Sequence, residues 1–280
     1  MDDLTIYGKL KGFMDVLDYE SGLSTLDYLM ELIEDVEDLG EIAFDQYAVA
    51  QMLSQCDIEY KFHPDVKQFV IDILKEEVAK GNCDAMCDLG MMYYHGYRGI
   101  RQSFKKAIEY NTMAADKGSK QALENLGYCY YYGRGGQPDY EKAYVYFIKG
   151  SQDGNLVSLY KLGDMYLNGY YVEKNPEEAY KIYEKCIGTM DNDNNGRVAG
   201  PVYLRLAKMK LYGQAGYKDP YIALLMYQKA EVCLSSMINH SKGFLFVKSY
   251  REAVEGQKDA RAKIEDDMFV FDWFKKVCKN

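Results

Sequence analysis

The chain has 280 residues, 48% of them hydrophobic, enough for one large core or an array of small ones. No apolar run approaches the roughly 18 residues of a membrane span, which excludes a membrane-spanning helix. The net charge of −9 is uneven: residues 1–65 hold 16 acidic and 3 basic side chains, −13 in all, leaving +4 for the rest. Such an acidic region repels phosphate backbones and excludes nucleic acid as its partner. It reads as a solvated helical face, with electrostatic docking of a basic partner as the functional alternative.

In chain order, the N-terminus MDDLTIYGKLKGF lacks the basic-then-apolar layout of a signal peptide, so the expected location is cytoplasmic. The segment LSTLDYLMELIEDVEDL then predicts an amphipathic helix with Leu26, Leu29, Ile33 and Val36 inward, making residues 1–40 an N-terminal cap. Residues 41–81 read as a degenerate repeat. Leu53 leads it, Val70, Ile73, Leu74 and Gly81 fall at second-helix positions, and Tyr60 stands where a turn glycine belongs. His63-Pro64-Asp65 is an ordinary helix start, with proline at the first helical position.

The stretch LGMMYYHG at Leu89–Gly96 returns as LGYCYYYG at Leu126–Gly133, as LGDMYLNG at Leu162–Gly169 and more loosely as LAKMKLYG at Leu206–Gly213. The leading leucines are 37, 36 and 44 residues apart, a period that means stacked supersecondary units. In the copy from Gly118 to Gly154, Ala122, Leu126 and Tyr130 form one packing stripe, and Gly127 permits close approach of a neighbouring helix. Gly133, Gly135 and Gly136 make the turn. Ala143, Tyr146, Phe147 and Gly150 form the opposing stripe of a second helix. Equivalent residues are Ala107, Tyr110, Ala114 and Gly118 in the first copy, Ala179, Ile182, Tyr183 and Cys186 in the third, and Ala223, Met226, Tyr227 and Ala230 in the fourth.

This grammar of an Ala, then LG, then Tyr and Gly, an acidic or proline-bearing helix start and a KA pair resembles the Sel-like repeat (SLR) family of tetratricopeptide-type helical repeats. The matching KA pairs are Lys106–Ala107 and Lys142–Ala143, with Glu178–Ala179 in the third copy. The resemblance covers residues 81–188 and, more weakly, 199–234. It implies an all-α, right-handed solenoid of stacked antiparallel helix pairs with capping helices at both ends. The predicted repeats are 82–118, 119–154, 155–190 and 201–238, with a polar insertion loop over 191–200. Residues 239–280 then form C-terminal capping helices that end in Met268, Phe269, Phe271, Trp273 and Phe274. Docking or self-association through that aromatic end is the alternative.

Catalytic signatures are absent: there is no GxxxxGK[ST], GxSxG or HExxH, and the histidines His63, His95 and His240 lie in separate units. No cofactor is expected, and the chain is not read as an enzyme. A β-lactamase-like activity, known in cysteine-rich members of the resembled family, is the third and least favoured reading, since those members carry a disulfide pair in each repeat and this chain does not. Cys83 and Cys87 share a helical face but have only His95 near in sequence to complete a metal site, so they read as packing thiols. Asp191, Asp193 and Asn195 sit at alternating positions like the first half of a calcium loop, with Gly196 at the turn. The twelfth position is Val202 where a bidentate Glu is needed. A polar linker is therefore the reading and calcium only the weaker candidate.

The first helix of each pair lines the inner groove in the tetratricopeptide fold. By that analogy a groove is expected from Met91, Tyr94 and His95, then Glu124, Tyr128, Tyr131 and Tyr132, then Tyr160, Asp164 and Asn168, and finally Lys208 and Tyr212. Tyrosine offers a large contact area with a hydroxyl and little rotamer entropy, which favours it in interfaces. Tyr93, Tyr130 and Tyr166 are assigned to packing. The expected function is a protein-interaction module or adaptor that holds a partner protein or peptide along this groove. Hydrogen bonds from Glu124, Asp164 and Asn168 would add to aromatic burial. The alternative is a bacterial immunity or effector-type protein that binds and blocks one enzyme, steered to a basic target by the acidic N-terminal region.

Overall fold

A computed structural model describes residues 64–96, 100–190, 196–241 and 246–277. Among them the regular elements are all helices: α1 Pro64–Lys80, α2 Cys83–His95, α3 Phe104–Asp116, α4 Lys120–Tyr131, α5 Tyr140–Gln152, α6 Leu156–Asn168, α7 Pro176–Gly188, α8 Gly196–Tyr212, α9 Pro220–Ser241 and α10 Val247–Val277. No described helix is long and apolar enough to cross a membrane. The chain divides into two compact units, residues 1–129 with 133–137, and residues 130–132 with 138–280. The proposed N-terminal cap and the first helix of the degenerate repeat lie outside the described residues.

The same local chemistry builds each pair. The first helix ends on the glycine that closes the repeated motif: Gly96 has φ 70° and Gly169 φ 74°, left-handed values open to glycine at no steric cost. A side chain then caps the second helix. Ser103 Oγ accepts from Lys106 N, Asp139 Oδ1 from Lys142 N, and Asn175 Oδ1 from Glu178 N. Pro176 follows Asn175 at the start of α7, where its missing N–H costs nothing. One backbone bond fixes the hairpin in every copy: the cap residue's N–H donates to the carbonyl four residues after the leading Leu or its equivalent. The pairs are Ser103 to Tyr93, Asp139 to Tyr130, Asn175 to Tyr166 and Asp219 to Lys210, at 2.8–2.9 Å.

In the first unit, Val70, Ile73 and Leu74 of α1 are buried, and Gly81 turns the chain at φ 91°. Tyr93 of α2 stacks on Tyr110 of α3 at 5.6 Å between centroids, with the Lys106 ammonium 4.8 Å above the Tyr93 ring. The lysine of the KA pair therefore has a packing role. In the second unit Tyr130 repeats the arrangement with Tyr146 at 5.7 Å and Lys142 at 5.1 Å.

The alanines Ala107, Ala143, Ala179 and Ala223 are all fully buried, and the residues four positions on decide how tightly each pair closes. Asn111 packs over Gly90, and the ring of Tyr183 lies over Gly163. A methyl group at Gly163 would stand 2.5 Å from Tyr183 Cε1 and 2.9 Å from Cζ. The fourth copy has Ala207 in the glycine slot, and its Tyr227 instead packs against Gly256 of α10. Gly163→Ala is therefore expected to destabilise the protein by about 1–2 kcal/mol. Overpacking at the upper end of its usual range of about 1–3 kcal/mol outweighs the roughly 1 kcal/mol that alanine gains as a helix former. Urea unfolding checks this, and a stabilised variant would refute the packing account.

Two boundaries differ from the sequence reading. Helix α8 begins at Gly196, inside the predicted 191–200 loop, because Val198 and Val202 are drawn into the core beside Tyr160, Ala179 and Tyr183. Asp191, Asp193 and Asn195 lie outside the described residues. The C-terminal region from Val247 to Val277 is one 31-residue helix rather than several. It packs Ala253 and Ala260 against Tyr227, Ala230 and Leu234 of α9. The side chains of Phe271, Trp273 and Phe274 are outside the described set, while Met268 and Phe269 are exposed.

Candidate partner-binding face

The proposed groove residues occupy a few fixed positions relative to the leading leucine, and those positions differ in exposure. Two residues before it, the side chain is buried in every copy: Cys87, Glu124, Tyr160 and Leu204. Glu124 and Tyr160, at 6% and 7% exposure, are therefore packing residues rather than open groove contacts. Six residues after it, the side chain is exposed in every copy: His95, Tyr132, Asn168 and Tyr212. Tyr132 and Tyr212 are about half exposed, at 46% and 50%. The intermediate positions vary; Met91 is exposed, Tyr128 and Lys208 are half-buried, and Asp164 is buried.

In the first unit, the Tyr94 hydroxyl accepts from Arg134 Nε at 2.9 Å, and its ring meets His95 and Phe104 edge-on. Tyr94 is thus pinned beside two exposed side chains, Met91 and His95.

The second unit holds a denser arrangement. Asp164 on α6 is buried and accepts from Tyr183 Oη at 2.7 Å, from Arg205 through Nε and Nη2, and from Lys161 Nζ at 3.3 Å. Arg205 also donates from Nη1 to the Pro201 carbonyl. Burial alone would raise the Asp164 carboxyl, but the Arg205 guanidinium, with Lys161 and Tyr183, holds it below the ordinary carboxylate value. Burial likewise opposes the Lys161 charge, and Asp164 overcomes it, leaving the ammonium more basic than usual. The carboxylate is therefore spent within the fold.

Lys161 links this ion cluster to the aromatic face. Its Nζ donates to Tyr132 Oη at 2.8 Å and lies 4.9–5.2 Å from the ring centroids of Tyr131, Tyr132 and Tyr160. Arg205 sits 5.1 Å from the Tyr160 ring. Tyr131 meets Tyr132, Tyr140, Phe147 and Tyr170 edge-on, and Tyr140 stacks on Tyr170 at 4.4 Å. Burial pushes the Tyr131 hydroxyl far above the usual phenol value, so it stays protonated. Lys208 reaches Glu252 on α10, and Asn168 donates to the Asp164 carbonyl.

Sequence reasoning missed Lys161, Arg205 and Tyr183 as members of this cluster. The usable signal was their register: Lys161 and Arg205 both precede the leading leucine, three residues before Asp164 and Lys208 respectively. Among the described residues no group of three or more His, Cys, Asp or Glu is placed to hold a metal ion. Burial pushes the thiols of Cys129 to about 11 and Cys186 to about 12, which leaves them unreactive.

Comparison with known proteins agrees with the repeat reading. The Sel1 repeat family model matches residues 83–119, 120–155, 156–185 and 201–231. Among curated proteins, the chain is 35% identical over 108 residues to an Arabidopsis thaliana protein named ERAD-associated E3 ubiquitin-protein ligase component HRD3B, covering 38% of this chain and 17% of that one. It is 36% identical over 105 residues to human Protein sel-1 homolog 2, covering 38% and 15%. The match thus spans less than a fifth of either relative. Among solved structures, a Sel1 repeat protein from Oxalobacter formigenes aligns with a TM-score of 0.55 at 22% identity, covering 78% of this chain and 86% of that one. That likeness establishes the all-α solenoid fold.

Proposed function

Because the chain belongs to the Sel1-repeat family, whose members typically mediate protein–protein interaction, we propose that it binds one partner protein through the exposed ends of its first helices. The observation that carries this is the position six residues after each leading leucine. It is exposed in all four copies, yet holds His95, Tyr132, Asn168 and Tyr212, so it is free of the packing grammar. A half-exposed aromatic held by Lys161 and Tyr131 loses little entropy on binding, which favours affinity. Asp164, expected to hydrogen-bond the partner, is instead engaged by Arg205, Lys161 and Tyr183 and takes no part in this face.

Affinity purification from the source cells with the wild-type chain, a Tyr212→Ala variant and a Tyr132→Ala, Tyr212→Ala double variant tests the proposal. The expected result is one dominant partner, weakened roughly tenfold or more in the double variant, the scale of losing a central aromatic contact. Equal recovery by all three baits would place binding elsewhere. A narrower reading, a binder that blocks one basic enzyme, is favoured by the −13 charge of residues 1–65. A single basic partner released by modest salt supports that version, and a spread of partners supports a general adaptor.

A further inference from the structure

The first unit contains a cavity of about 580 Å³ with a distinctly one-sided chemistry. Lys75 from α1, Arg101 from the loop before α3, and Lys106 from the first turn of α3 all line it, and no carboxylate does. Elsewhere on α1, Lys80 is held by Glu77 at 2.8 Å and Glu76 at 3.5 Å. Lys75, Arg101 and Lys106 take part in no ion pair among the described residues. Among the described residues, three cations from three separate elements thus line one hollow without a carboxylate partner.

The cavity lining holds further donors. Ser103 lines it with a hydroxyl whose oxygen accepts from Lys106 N at 3.4 Å, leaving its proton to give. It caps a 13-residue helix whose first N–H groups have no partner within the helix and carry the positive end of its dipole. The remaining lining includes apolar surface from Ile71, Ile100 and the ring of Tyr93, which stacks on Tyr110 and whose hydroxyl accepts from Lys106 Nζ at 3.5 Å. Arginine and lysine together suit a group with several acceptor oxygens and nearly two negative charges. The volume is far more than an inorganic anion fills, and the hollow is open to solvent on one side, as entry of a side chain from a peptide requires.

We propose that this cavity binds a phosphotyrosyl side chain presented by a partner peptide. The phosphate is held by Arg101, Lys106, Lys75 and the Ser103 hydroxyl, and the phenyl ring lies against Ile71 and Tyr93. The inference goes beyond the function proposed above: it uses none of the tyrosine-face residues, so either can fail without the other.

Fluorescence anisotropy with a labelled degenerate phosphotyrosine peptide pool tests it on the full-length chain. Parallel arms use the unphosphorylated pool, a phosphoserine pool, and phenyl phosphate or inorganic phosphate as competitors. The expected result is binding only with phosphate present, tighter for phosphotyrosine than phosphoserine, weakening steeply with salt. Phenyl phosphate should compete better than inorganic phosphate. A Lys75→Gln, Arg101→Gln variant, altered only at exposed side chains, should bind roughly tenfold or more weakly with its circular dichroism and melting point unchanged. Equal binding of the unphosphorylated pool, equal binding of phosphoserine, or undiminished binding by that variant would each overturn the proposal. So would the absence of any phosphotyrosine binding at millimolar peptide.

Discussion

Replacing Asp164 with alanine is expected to lower stability by about 3–5 kcal/mol, the usual cost of removing one partner from a buried ion pair. The reason is what remains behind. The Lys161 side chain is 4% exposed, and Arg205 is mostly covered, so neither can recover its hydration when the carboxylate is gone. Tyr183 Oη also loses its acceptor in a fully buried position. Asp164→Asn keeps the shape and one acceptor, and should cost less. Its pH dependence separates charge from packing. The folded carboxyl lies below its unfolded value, so its contribution is complete above about pH 4 and is lost as pH falls through the folded value. The stability gap between wild type and Asp164→Asn should therefore shrink on acidification from about pH 6 to pH 3. A gap that is constant over this range would show that shape alone matters at Asp164.

Tyr183 separates ring from hydroxyl. Tyr183→Ala should cost about 3–5 kcal/mol, as for other large core aromatics, because Gly163 beneath it has no side chain with which to fill the space. Tyr183→Phe keeps the ring and removes one of the donors to Asp164, at about 1–2 kcal/mol. In an Asp164→Ala background the Tyr183→Phe change should cost much less, since the hydroxyl then has no acceptor, a coupling that a double-mutant cycle in urea measures directly. Additive losses would contradict the hydrogen-bonded cluster.

The repeat grammar was legible because its residues obey local rules. The glycine at the end of each motif, the capping Ser103, Asp139 and Asn175, and the buried Ala107, Ala143, Ala179 and Ala223 do the same job in each copy, whatever lies nearby. The start of α8 was not legible: Gly196 to Gly200 look like linker, but Val198 and Val202 are pulled inward by Tyr160 and Tyr183, far away in sequence. The groove was half legible. Analogy identified the first helices, but it could not say that the position of Glu124 and Tyr160 faces the core in every copy. Nor could it say that Asp164 would meet Arg205, 41 residues on, instead of a partner. Charges that pair through tertiary contacts leave only a faint mark in sequence, here the shared register of Lys161 and Arg205.

Site-specific photo-crosslinking tests the central claim of partner binding through the first-helix ends. A benzophenone amino acid is placed at Asn168 or Tyr212, both exposed at the variable position, and as controls at Lys149 or Lys185, exposed on second helices. In the source cells, one protein is expected to crosslink from Asn168 and Tyr212 and not from Lys149 or Lys185. Crosslinks to a partner from the second-helix positions alone would contradict the account.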